Sequence, residues 1–387
     1  MANENLGNAK KARNDEFYTQ FHDIEKEINA YLDYDADVFR GKTVLLPCDD
    51  PEWSNFTKYF AQNFERLGLK KLISTSFAPN SKPKQLDLQP TLFEFESPQF
   101  DESKTAANGK IFTLTRDTTG DNIINVDDLE WQYLDGDGDF RGAEVTALRD
   151  EADIIVTNPP FSLFREFLGW ITEADKKFVI IGNMNAITYK EVFPLIQGDR
   201  LWLGATANGS DLVFRVPEGA DISPSDREKA ARLGYVGDYT RLGNACWFTN
   251  IDHGKRHQPL PLMTQADNIK FSKHKEIKGQ GYRKYDNYEA IEVSFTDAIP
   301  SDFDGVMGVP ISFLHKYSPE QFEIVGTLAQ SDPNYPFRTK WYSAKDQQDA
   351  YFRRFGKPGI IPLNMSGVIN DVKVYQRILI RHRKVAK

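Results

Sequence analysis

The sequence predicts an α/β protein, in which a largely parallel β-sheet has helices on both faces and a smaller mixed α/β region follows. Short and almost entirely apolar segments, which suit buried parallel strands, alternate with longer segments of helical periodicity. This alternation is clear over residues 43–77 and again over 152–182. The chain has 387 residues, 40% of them hydrophobic, which is enough for a large core and a second domain.

The first elements form a strand–helix–strand unit. Residues 15–33 have apolar side chains at helical spacing and predict an amphipathic helix. Apolar strands are expected at 43–47 and 71–77, on either side of a helix capped by Ser54 or Asn55. The apolar stripe of that helix consists of Phe56, Phe60, Phe64 and Leu67.

The alternation is interrupted at residues 78–130, which are rich in Pro, Asn, Ser, Asp and Gly and predict an irregular insertion or elaborated hairpins. It resumes with a strand at 152–157, a helix at 163–172 and a strand at 177–182. Another core strand is expected at 245–250.

The two parts of the chain differ in charge. The whole chain has a net charge of −8, but residues 251–387 contain 21 Lys and Arg against 15 Asp and Glu, a net charge of +6. Residues 1–250 therefore have a net charge of −14. We expect one domain at 1–250 and a smaller one at 251–387, with different functions.

Composition argues against several classes of protein. Two cysteines and six histidines without clustered spacing predict neither a disulfide scaffold nor a transition-metal site. The acidic run that begins at Asp135 does not fit a calcium loop, because Phe140 and Thr146 stand where glycine and a bidentate acid are needed. We find no membrane helix and no signal peptide, and expect a cytoplasmic protein.

The segment at 152–168 has the clearest chemical signal, because a buried strand leads directly into Asn158-Pro159-Pro160-Phe161 and then into a helix. Ligands of open parallel sheets bind just beyond the carboxyl ends of the strands. Each proline restricts its own backbone and that of the residue before it, so the loop is stiff. The alternative is a simple turn, since Asn-Pro commonly opens turns.

Such a loop suits methylation of a planar amine, whose nitrogen lone pair is delocalised into the ring. Acceptors at the Asn158 side chain and the Pro159 carbonyl would bind the amine hydrogens and concentrate electron density on the nitrogen. Phe161 would stack on the base. An activated sulfonium methyl then needs in-line positioning rather than a strong base, and a base in a duplex has to be flipped into the pocket.

The chain resembles the EcoRI-type adenine-specific DNA methyltransferases over most of residues 14–250. The resemblance implies a Rossmann-like methyltransferase sheet, S-adenosylmethionine as cofactor, double-stranded DNA as substrate and membership of a restriction-modification pair. Four segments show it, in order: NDEFYTQFHDIEKEI (14–28), LLPCDDPEWSNFTKYFAQNFERLGLKKL (45–72), GDGDF with DIIVTNPPFSLFREF (136–140 and 153–167) and NACWFTN (244–250).

The resemblance implies cofactor contacts near the amino-terminal end. Tyr18 matches a segment that contacts the methionine part of the cofactor, and its alternative is a half-buried helix tyrosine. The turn containing Cys48, Asp49 and Asp50 occupies the cofactor loop, where a carboxylate can pair with the ammonium or the ribose hydroxyls. This loop lacks the usual glycines, and helix capping is the alternative function of its aspartates.

Further site residues follow from the same resemblance. Asp139 and Phe140 match the segment that holds the adenine ring of the cofactor, and Asn158 is expected to contact the cofactor as well as the base. Trp247 is a candidate for the base pocket, although alternating aromatic residues in a strand more often form core. No acid after the second strand is evident for the ribose.

Target recognition is expected in residues 251–387. Lys273, Lys275, Arg283 and Lys284 lie among aromatic residues, a pattern typical of phosphate contacts with nearby stacking groups. An ordinary solvated surface is the alternative. A basic group at the end of the chain is either another DNA contact or a soluble tail; it comprises Arg377, Arg381, Arg383 and Lys384.

Two competing functions remain open from the sequence. One is a methyltransferase for another planar amine, such as a protein glutamine, the N4 amine of cytosine or an RNA base. The other is a cofactor-binding or DNA-binding module without catalysis. A cognate restriction endonuclease acting on the same site is a further expected partner.

Overall fold

The computed structural model describes residues 18–51, 54–78, 97–206, 212–216, 222–328, 337–359 and 366–384. The chain divides into two compact units, Met1–Gly254 and Lys255–Lys387. Among the described residues, no helix has both the length and the apolar character needed to span a bilayer.

The described strands of the first unit form two sheets. They are β1 (Tyr18–Thr19), β2 (Thr43–Leu46), β3 (Lys71–Ser76), β4 (Lys110–Leu114), β5 (Glu130–Tyr133), β6 (Ile154–Thr157), β7 (Lys177–Asn183), β8 (Trp202–Leu203), β9 (Val213–Arg215), β10 (Tyr239–Arg241) and β11 (Ala245–Thr249). The larger sheet has eight strands in the order β5-β4-β3-β2-β6-β7-β11-β8, and β1, β9 and β10 form a small sheet of their own.

The centre of the larger sheet is parallel. The pairs β2–β3, β2–β6 and β6–β7 are parallel, whereas the pairs towards both edges are antiparallel. Every residue of β2 and β6 is buried. Strands buried on both faces need apolar side chains at nearly every position, which explains why these segments have no alternating polar residues.

Helices cover both faces of this sheet. The α-helices of the described residues are α1 (Phe21–Leu32), α2 (Asn55–Gln62), α3 (Phe64–Leu67), α4 (Glu102–Thr105), α5 (Ala143–Glu151), α6 (Phe164–Glu173), α7 (Phe193–Gln197), α8 (Pro224–Arg232), α9 (Gln265–Phe271) and α10 (Ala344–Phe355). Ile28 of α1 and Phe60 of α2 share one core cluster with Trp247 of β11.

The opposite face is covered by α6. Phe164 of α6 lies against Phe248, with 5.1 Å between the ring centroids. Because neighbouring residues of a strand point to opposite faces, Trp247 and Phe248 contact different helix layers. The predicted α/β class, with helices on both faces, is thus confirmed.

Two predicted helices have different bounds in the structure. The first begins at Phe21 rather than near residue 15, because Tyr18 and Thr19 pair with β9 as a strand; residues 15–17 lie outside the described part. The second predicted helix is divided into α2 and α3 at Asn63, whose φ of −108° departs from helical geometry. Ser54 caps α2, as predicted, by accepting a hydrogen bond from the Phe56 amide.

The insertion at 78–130 extends the main sheet. Its strands β4 and β5 add to the β3 edge as an antiparallel pair, in agreement with the hairpin alternative, and residues 79–96 lie outside the described part. Asp128, at the end of the loop between these strands, accepts hydrogen bonds from the amides of Thr118, Thr119 and Asn125. Its carboxylate therefore closes the loop.

The second unit has a smaller mixed sheet in the order β12-β13-β17-β14 and a separate hairpin, β15–β16. The pair β12–β13 is parallel, and β17 is antiparallel to both of its neighbours. The strands are β12 (Ile291–Glu292), β13 (Met307–Pro310), β14 (Phe322–Thr327), β15 (Val368–Ile369), β16 (Val372–Lys373) and β17 (Arg377–His382).

Of the two alternatives for the basic group at the end of the chain, a soluble tail is wrong, whereas a DNA contact stays a prediction. Residues 377–382 form β17, an interior strand of the second sheet. Arg377 is buried and pairs with the buried carboxylate of Glu292, with 2.6 Å between guanidinium nitrogen and carboxylate oxygen. Because a buried charge needs its partner, Arg377 is required to neutralise Glu292 within the second unit.

Candidate active site

The Asn158–Phe161 segment lies directly beyond the carboxyl end of β6. That strand ends at Thr157, and Phe161 begins a short 3-10 turn that continues into α6. The amide of Leu163 donates to the carbonyl of Pro160 at 2.9 Å and closes the turn. With two prolines between a fully paired strand and this turn, the backbone has little freedom.

Phe161 and Asn158 are both partly accessible at this edge of the sheet. Asn158 and Pro160 are half-buried, whereas Pro159 is buried. Phe161 is partly buried and packs against the core cluster beneath it. The loop is thus supported from the core side and lies at the edge where ligands of parallel sheets bind.

The predicted cofactor loop follows β2, which is the direct neighbour of β6. The amide of Asp49 donates to the carbonyl of Thr75 at 3.1 Å, and the Thr75 hydroxyl donates to the carbonyl of Pro47 at 2.9 Å. These bonds fix the loop to the end of β3. The loops after β2 and β6 therefore meet at one edge, as parallel pairing requires.

Asp49 is the most restrained residue of that loop. Its side chain is 5% exposed, and its two carboxylate oxygens accept hydrogen bonds from the hydroxyls of Ser54, at 2.6 Å, and Thr157, at 2.5 Å. Burial raises the pKa of this carboxyl to about 7, although both hydroxyls favour the ionised form. Asp49 thus connects the cofactor loop with the residue that precedes Asn158.

Cys48 and Asp50 flank Asp49. Burial, together with the neighbouring Asp49 charge, raises the pKa of the Cys48 thiol well above its ordinary value, so the thiol stays protonated. Asp50 is half-buried, and its carbonyl accepts a hydrogen bond from the Ser54 amide at 2.7 Å. The Asp50 side chain is more accessible than that of Asp49.

Asp139 is held by an arginine. Arg141 donates from Nε to one carboxylate oxygen at 2.9 Å and from a terminal nitrogen to the other at 2.6 Å. These bonds lower the pKa of Asp139, which is therefore ionised at neutral pH. Arg141 also pairs with Glu166 of α6 at 3.0 Å. The carboxylate keeps a fixed orientation and can still accept further hydrogen bonds.

The segment around Asp139 packs against the end of β3. Gly138 has a φ of +84°, and a Cβ at this position would collide with the Ser76 carbonyl. The amide of Ala78 donates to the carbonyl of Asp137 at 2.7 Å. Asp139 therefore lies at the same edge of the sheet as the loops after β2 and β6.

Phe140 is a core residue of this region. It is 5% exposed and contacts Phe167 and Trp170 of α6, with ring centroids 5.0 and 5.5 Å apart. The contact attaches the Asp139 segment to the helix that follows the Asn158–Phe161 loop. Contact between Phe140 and the cofactor adenine remains a prediction.

Tyr18 lies beside the cofactor loop. The residue is half-buried in β1, and the carbonyl of its neighbour Thr19 accepts a hydrogen bond at 2.7 Å from the side chain of Asn55. Asn55 is the first residue of α2, which the loop after β2 enters. The structure thus brings the Tyr18 segment and the cofactor loop together, although they are distant in sequence.

Trp247 is fully buried within the main core and contacts Phe56 of α2, with 5.9 Å between ring centroids. This position fits the alternative that the sequence left open, a packing function in β11. A contact between Trp247 and a target base stays an untested prediction.

The basic residues expected to bind DNA lie in the second unit. Lys273, Lys275, Arg283 and Lys284 are all exposed, and Lys273 pairs with Asp297 at 2.7 Å. The aromatic residues among them differ: Phe271 is 59% exposed, whereas Tyr285 and Tyr288 belong to the core of the unit. Those two tyrosines are too deeply buried for a base to stack on them.

A second group of exposed aromatic residues accompanies cations on this unit. The Arg354 guanidinium lies 4.1 Å from the ring centre of Tyr375, and Arg338 lies 5.0 Å from that of Trp341. Tyr375 and Trp341 are 61% and 57% exposed. Phe352 of α10 is also largely exposed. Such stacks of cation on ring offer both charge and a flat apolar surface.

Comparison with known proteins identifies the family to which the chain belongs. A family model described as the adenine-specific methyltransferase EcoRI matches residues 5–383. The chain belongs to this family. It is an adenine-specific methyltransferase, as the four segments and the Asn158–Phe161 loop led us to expect.

Named relatives cover most of this methyltransferase. It is 43% identical to the Type II methyltransferase M.EcoRI of Escherichia coli over 324 residues, 84% of this chain and 89% of that protein. It is 34% identical to the Type II methyltransferase M.MpnI of Mycoplasma pneumoniae over 322 residues, 83% of this chain and 85% of that protein. No solved structure matches the chain.

Sequence reasoning missed three residues that hold the predicted site residues of this methyltransferase. Ser54 and Thr157 donate hydrogen bonds to Asp49, and Arg141 donates to Asp139. A hydroxyl directly before the Asn158 loop and an arginine two residues after Asp139 were visible signals. Their partners were not visible, because Thr157 and Asp49 are separated by 108 residues.

Proposed function

We propose that this methyltransferase transfers a methyl group from S-adenosylmethionine to the exocyclic N6 amine of an adenine within a specific site of duplex DNA. The observation that supports it most is the Asn158–Phe161 loop at the carboxyl end of β6, directly beside the loop after β2. A stacked base cannot reach such a loop, so the target adenine is flipped out of the duplex.

The catalytic residues in this proposal are Asn158, Pro159, Pro160 and Phe161. The Asn158 side-chain oxygen and the Pro159 carbonyl accept the two amine hydrogens, which increases the electron density on nitrogen. The nitrogen would form a bond to the methyl carbon that the bound cofactor supplies, as the carbon–sulfur bond breaks and leaves a neutral thioether; the proton lost from the amine would pass to water. Pro160 stiffens the loop, and Phe161 stacks on the adenine.

The cofactor-binding residues in this proposal are Tyr18, Cys48, Asp49, Asp50, Asp139, Phe140 and Asn158. The donor set fits S-adenosylmethionine, because its ammonium and ribose hydroxyls need carboxylates and Asp139 is held ionised by Arg141. When bound, the cofactor supplies an activated sulfonium methyl group. Asp50, more accessible than Asp49, is the acid we assign to direct contact with it.

Target recognition is assigned to residues 251–387. The net charge of +6 and the exposure of Lys273, Lys275, Arg283 and Lys284 suit contacts with DNA phosphates. The exposed rings of Trp341 and Tyr375, each beside a partly buried arginine, suit stacking contacts. Trp247 remains a minor candidate for the base pocket. A restriction endonuclease with the same site is the proposed partner, and the cytoplasm the proposed location.

The first test is transfer of labelled methyl from S-adenosylmethionine to mixed-sequence duplex DNA, followed by nucleoside analysis of the digest. We expect label in N6-methyladenine. Label in cytosine, RNA or protein instead would establish another planar amine as the substrate. Cofactor binding without transfer to any of these would establish a module without catalysis.

The Asn158→Ala variant tests the catalytic assignment. Loss of one of the two preorganised acceptors should lower the rate of transfer roughly 10²–10³-fold. Because Asn158 is only one of the proposed cofactor-binding residues, the cofactor affinity, measured by calorimetry, should fall far less than the rate of transfer, by at most about tenfold. Asn29→Ala, the same change at a position of α1 whose side chain accepts solvent-exposed hydrogen bonds from Arg66, is the control. Near-normal turnover in Asn158→Ala would reject this function for Asn158.

A further inference from the structure

We infer that Asp49 and Thr157 form a positioning pair that fixes the catalytic loop relative to the cofactor loop and thereby aligns the methyl donor with the target amine. The inference rests on the proposed function, because it concerns the geometry of that reaction. Thr157 is assigned no contact with cofactor or base. Asp49 belongs to the proposed cofactor loop, and in this pair it acts by holding that loop in place, while Asp50 is the acid assigned to direct contact with the cofactor.

The pair joins the two loops by a direct hydrogen bond. Thr157 Oγ1 donates to Asp49 Oδ2 at 2.5 Å, and both residues are buried, with Thr157 fully inaccessible. Thr157 is the last residue of β6, and the next residue is Asn158. A bond closed off from water is not exchanged easily for one with solvent, so it restrains both loops continuously.

Asp49 is itself held from three directions. Its amide donates to Thr75 of β3, its other carboxylate oxygen accepts from Ser54, and its carbonyl accepts from Thr57 of α2 at 2.9 Å. Ser54 in turn caps α2. The hydroxyl of Thr157 therefore connects the catalytic loop to a rigid point rather than to a flexible side chain.

In-line methyl transfer depends strongly on such restraint. Catalytic groups need to lie within about 0.5 Å of the productive geometry, and a displacement of about 1 Å can cost roughly 10²-fold in rate. Cofactor and DNA affinity depend on many contacts in the two units. Loss of the Thr157 hydroxyl should therefore affect the chemical step far more than binding.

The test uses the full-length protein with Thr157→Val, which keeps the shape of the side chain but removes the donor. We expect the single-turnover rate constant for methyl transfer to fall about 10- to 100-fold, with dissociation constants for cofactor and duplex DNA changed less than about threefold. Thr157→Ser, which keeps the hydroxyl, should recover the rate to within about fivefold of the wild type.

Thr249→Val is the matched control. Thr249 lies in β11 of the same sheet. Its hydroxyl is equally buried and donates to the carbonyl of Phe178 at 2.7 Å. It should lose stability but keep its rate constant. If Thr157→Val does not fold, Thr157→Ala replaces it.

Three results would overturn the positioning pair: an unchanged rate constant in the Thr157 variant, an equal loss in Thr249→Val, or failure of Thr157→Ser to recover. A wild-type protein that transfers no methyl to adenine would instead reject the proposed function.

Discussion

Asp49 and Asp139 are aspartates at the same edge of one sheet, yet their surroundings shift their pKa values in opposite directions. Burial raises the pKa of Asp49 to about 7, and the charge of Asp50 adds to this effect. Hydrogen bonds from Arg141 lower the pKa of Asp139. A buried carboxyl with hydroxyl partners and a carboxylate with an arginine are thus suited to different functions, one to support loops and one to bind a cation or hydroxyl.

The raised pKa of Asp49 predicts a pH dependence of stability. A folded-state pKa above the unfolded value gives a contribution that is complete below about pH 4 and is lost as the pH rises through about 7. Asp49→Asn lacks this contribution. As the pH rises from 5 to 8, the unfolding free energy of the variant, measured in urea, should therefore increase relative to that of the wild type.

The Asp139→Asn variant is the matching test for a carboxyl whose pKa is lowered rather than raised. Because the pKa of Asp139 is lowered, its contribution is present at neutral pH and lost as the pH falls below about 4. The difference in unfolding free energy between Asp139→Asn and the wild type should stay constant between pH 5 and pH 8. A constant difference for Asp49→Asn over the same range would contradict the raised pKa.

The loops that follow the strands determine the positions of the candidate site residues more than the strands do. The segment at 136–140 reaches the end of β3 because Gly138 adopts a left-handed backbone in close contact with Ser76 and Gly109. The same segment is attached to α6 by Phe140 and Arg141. The backbone of one glycine thus sets the place of Asp139.

Gly138→Ala should displace this loop. The new methyl group would meet backbone atoms, which cannot move away easily, and the left-handed conformation costs a further ~1–2 kcal/mol for alanine. We expect a loss of unfolding free energy of at least about 2 kcal/mol and weaker cofactor binding, measured by urea unfolding and calorimetry.

Gly120→Ala is the matched control at the element scale. Gly120 has a φ of +77°, but a Cβ there would meet nothing within 4 Å. Only the conformational cost should appear, and cofactor affinity should stay unchanged. Equal effects of the two substitutions would show that close contact with Ser76 does not matter.

The molecule as a whole separates its charges. The part of the chain with the sheet and the loops is acidic, while residues 251–387 are basic. Because an acidic segment repels phosphates, we expect the attraction for DNA to come from residues 251–387. Part of its basic charge is neutralised internally, as the buried pair of Arg377 and Glu292 shows.

Removing exposed cations should change the salt dependence of DNA binding. The double variant Lys275→Ala, Arg283→Ala should weaken binding to all sequences alike. The slope of log K against log salt should become shallower by about 1 for each phosphate that the variant no longer neutralises. Fluorescence anisotropy at several salt concentrations measures this slope.

Arg381→Ala provides the comparison for this prediction. It also removes a positive charge from the second unit, but its guanidinium pairs with Glu323 at 2.7 Å. Its salt slope should remain that of the wild type. If the double variant also keeps the wild-type slope, the residues 275 and 283 do not contact phosphates.

The sequence by itself determined the alternating elements of the sheet and the position of the Asn158 loop. Strands such as β2 and β6 are buried on both faces, so their apolar runs are visible without any partner. The prolines of residues 159 and 160 likewise restrict the backbone locally. Helix α2 and its Ser54 cap depend on near neighbours too.

Only the tertiary structure decided which side chains meet. The bond between Thr157 and Asp49 and the buried pair of Arg377 and Glu292 join residues far apart in sequence. Glu27 is fully buried, and its carboxylate accepts hydrogen bonds from the amides of Ala205 and Thr206. A helical pattern in the sequence does not show these partners. Local patterns record burial and backbone restriction, whereas hydrogen-bond partners depend on how distant segments come together.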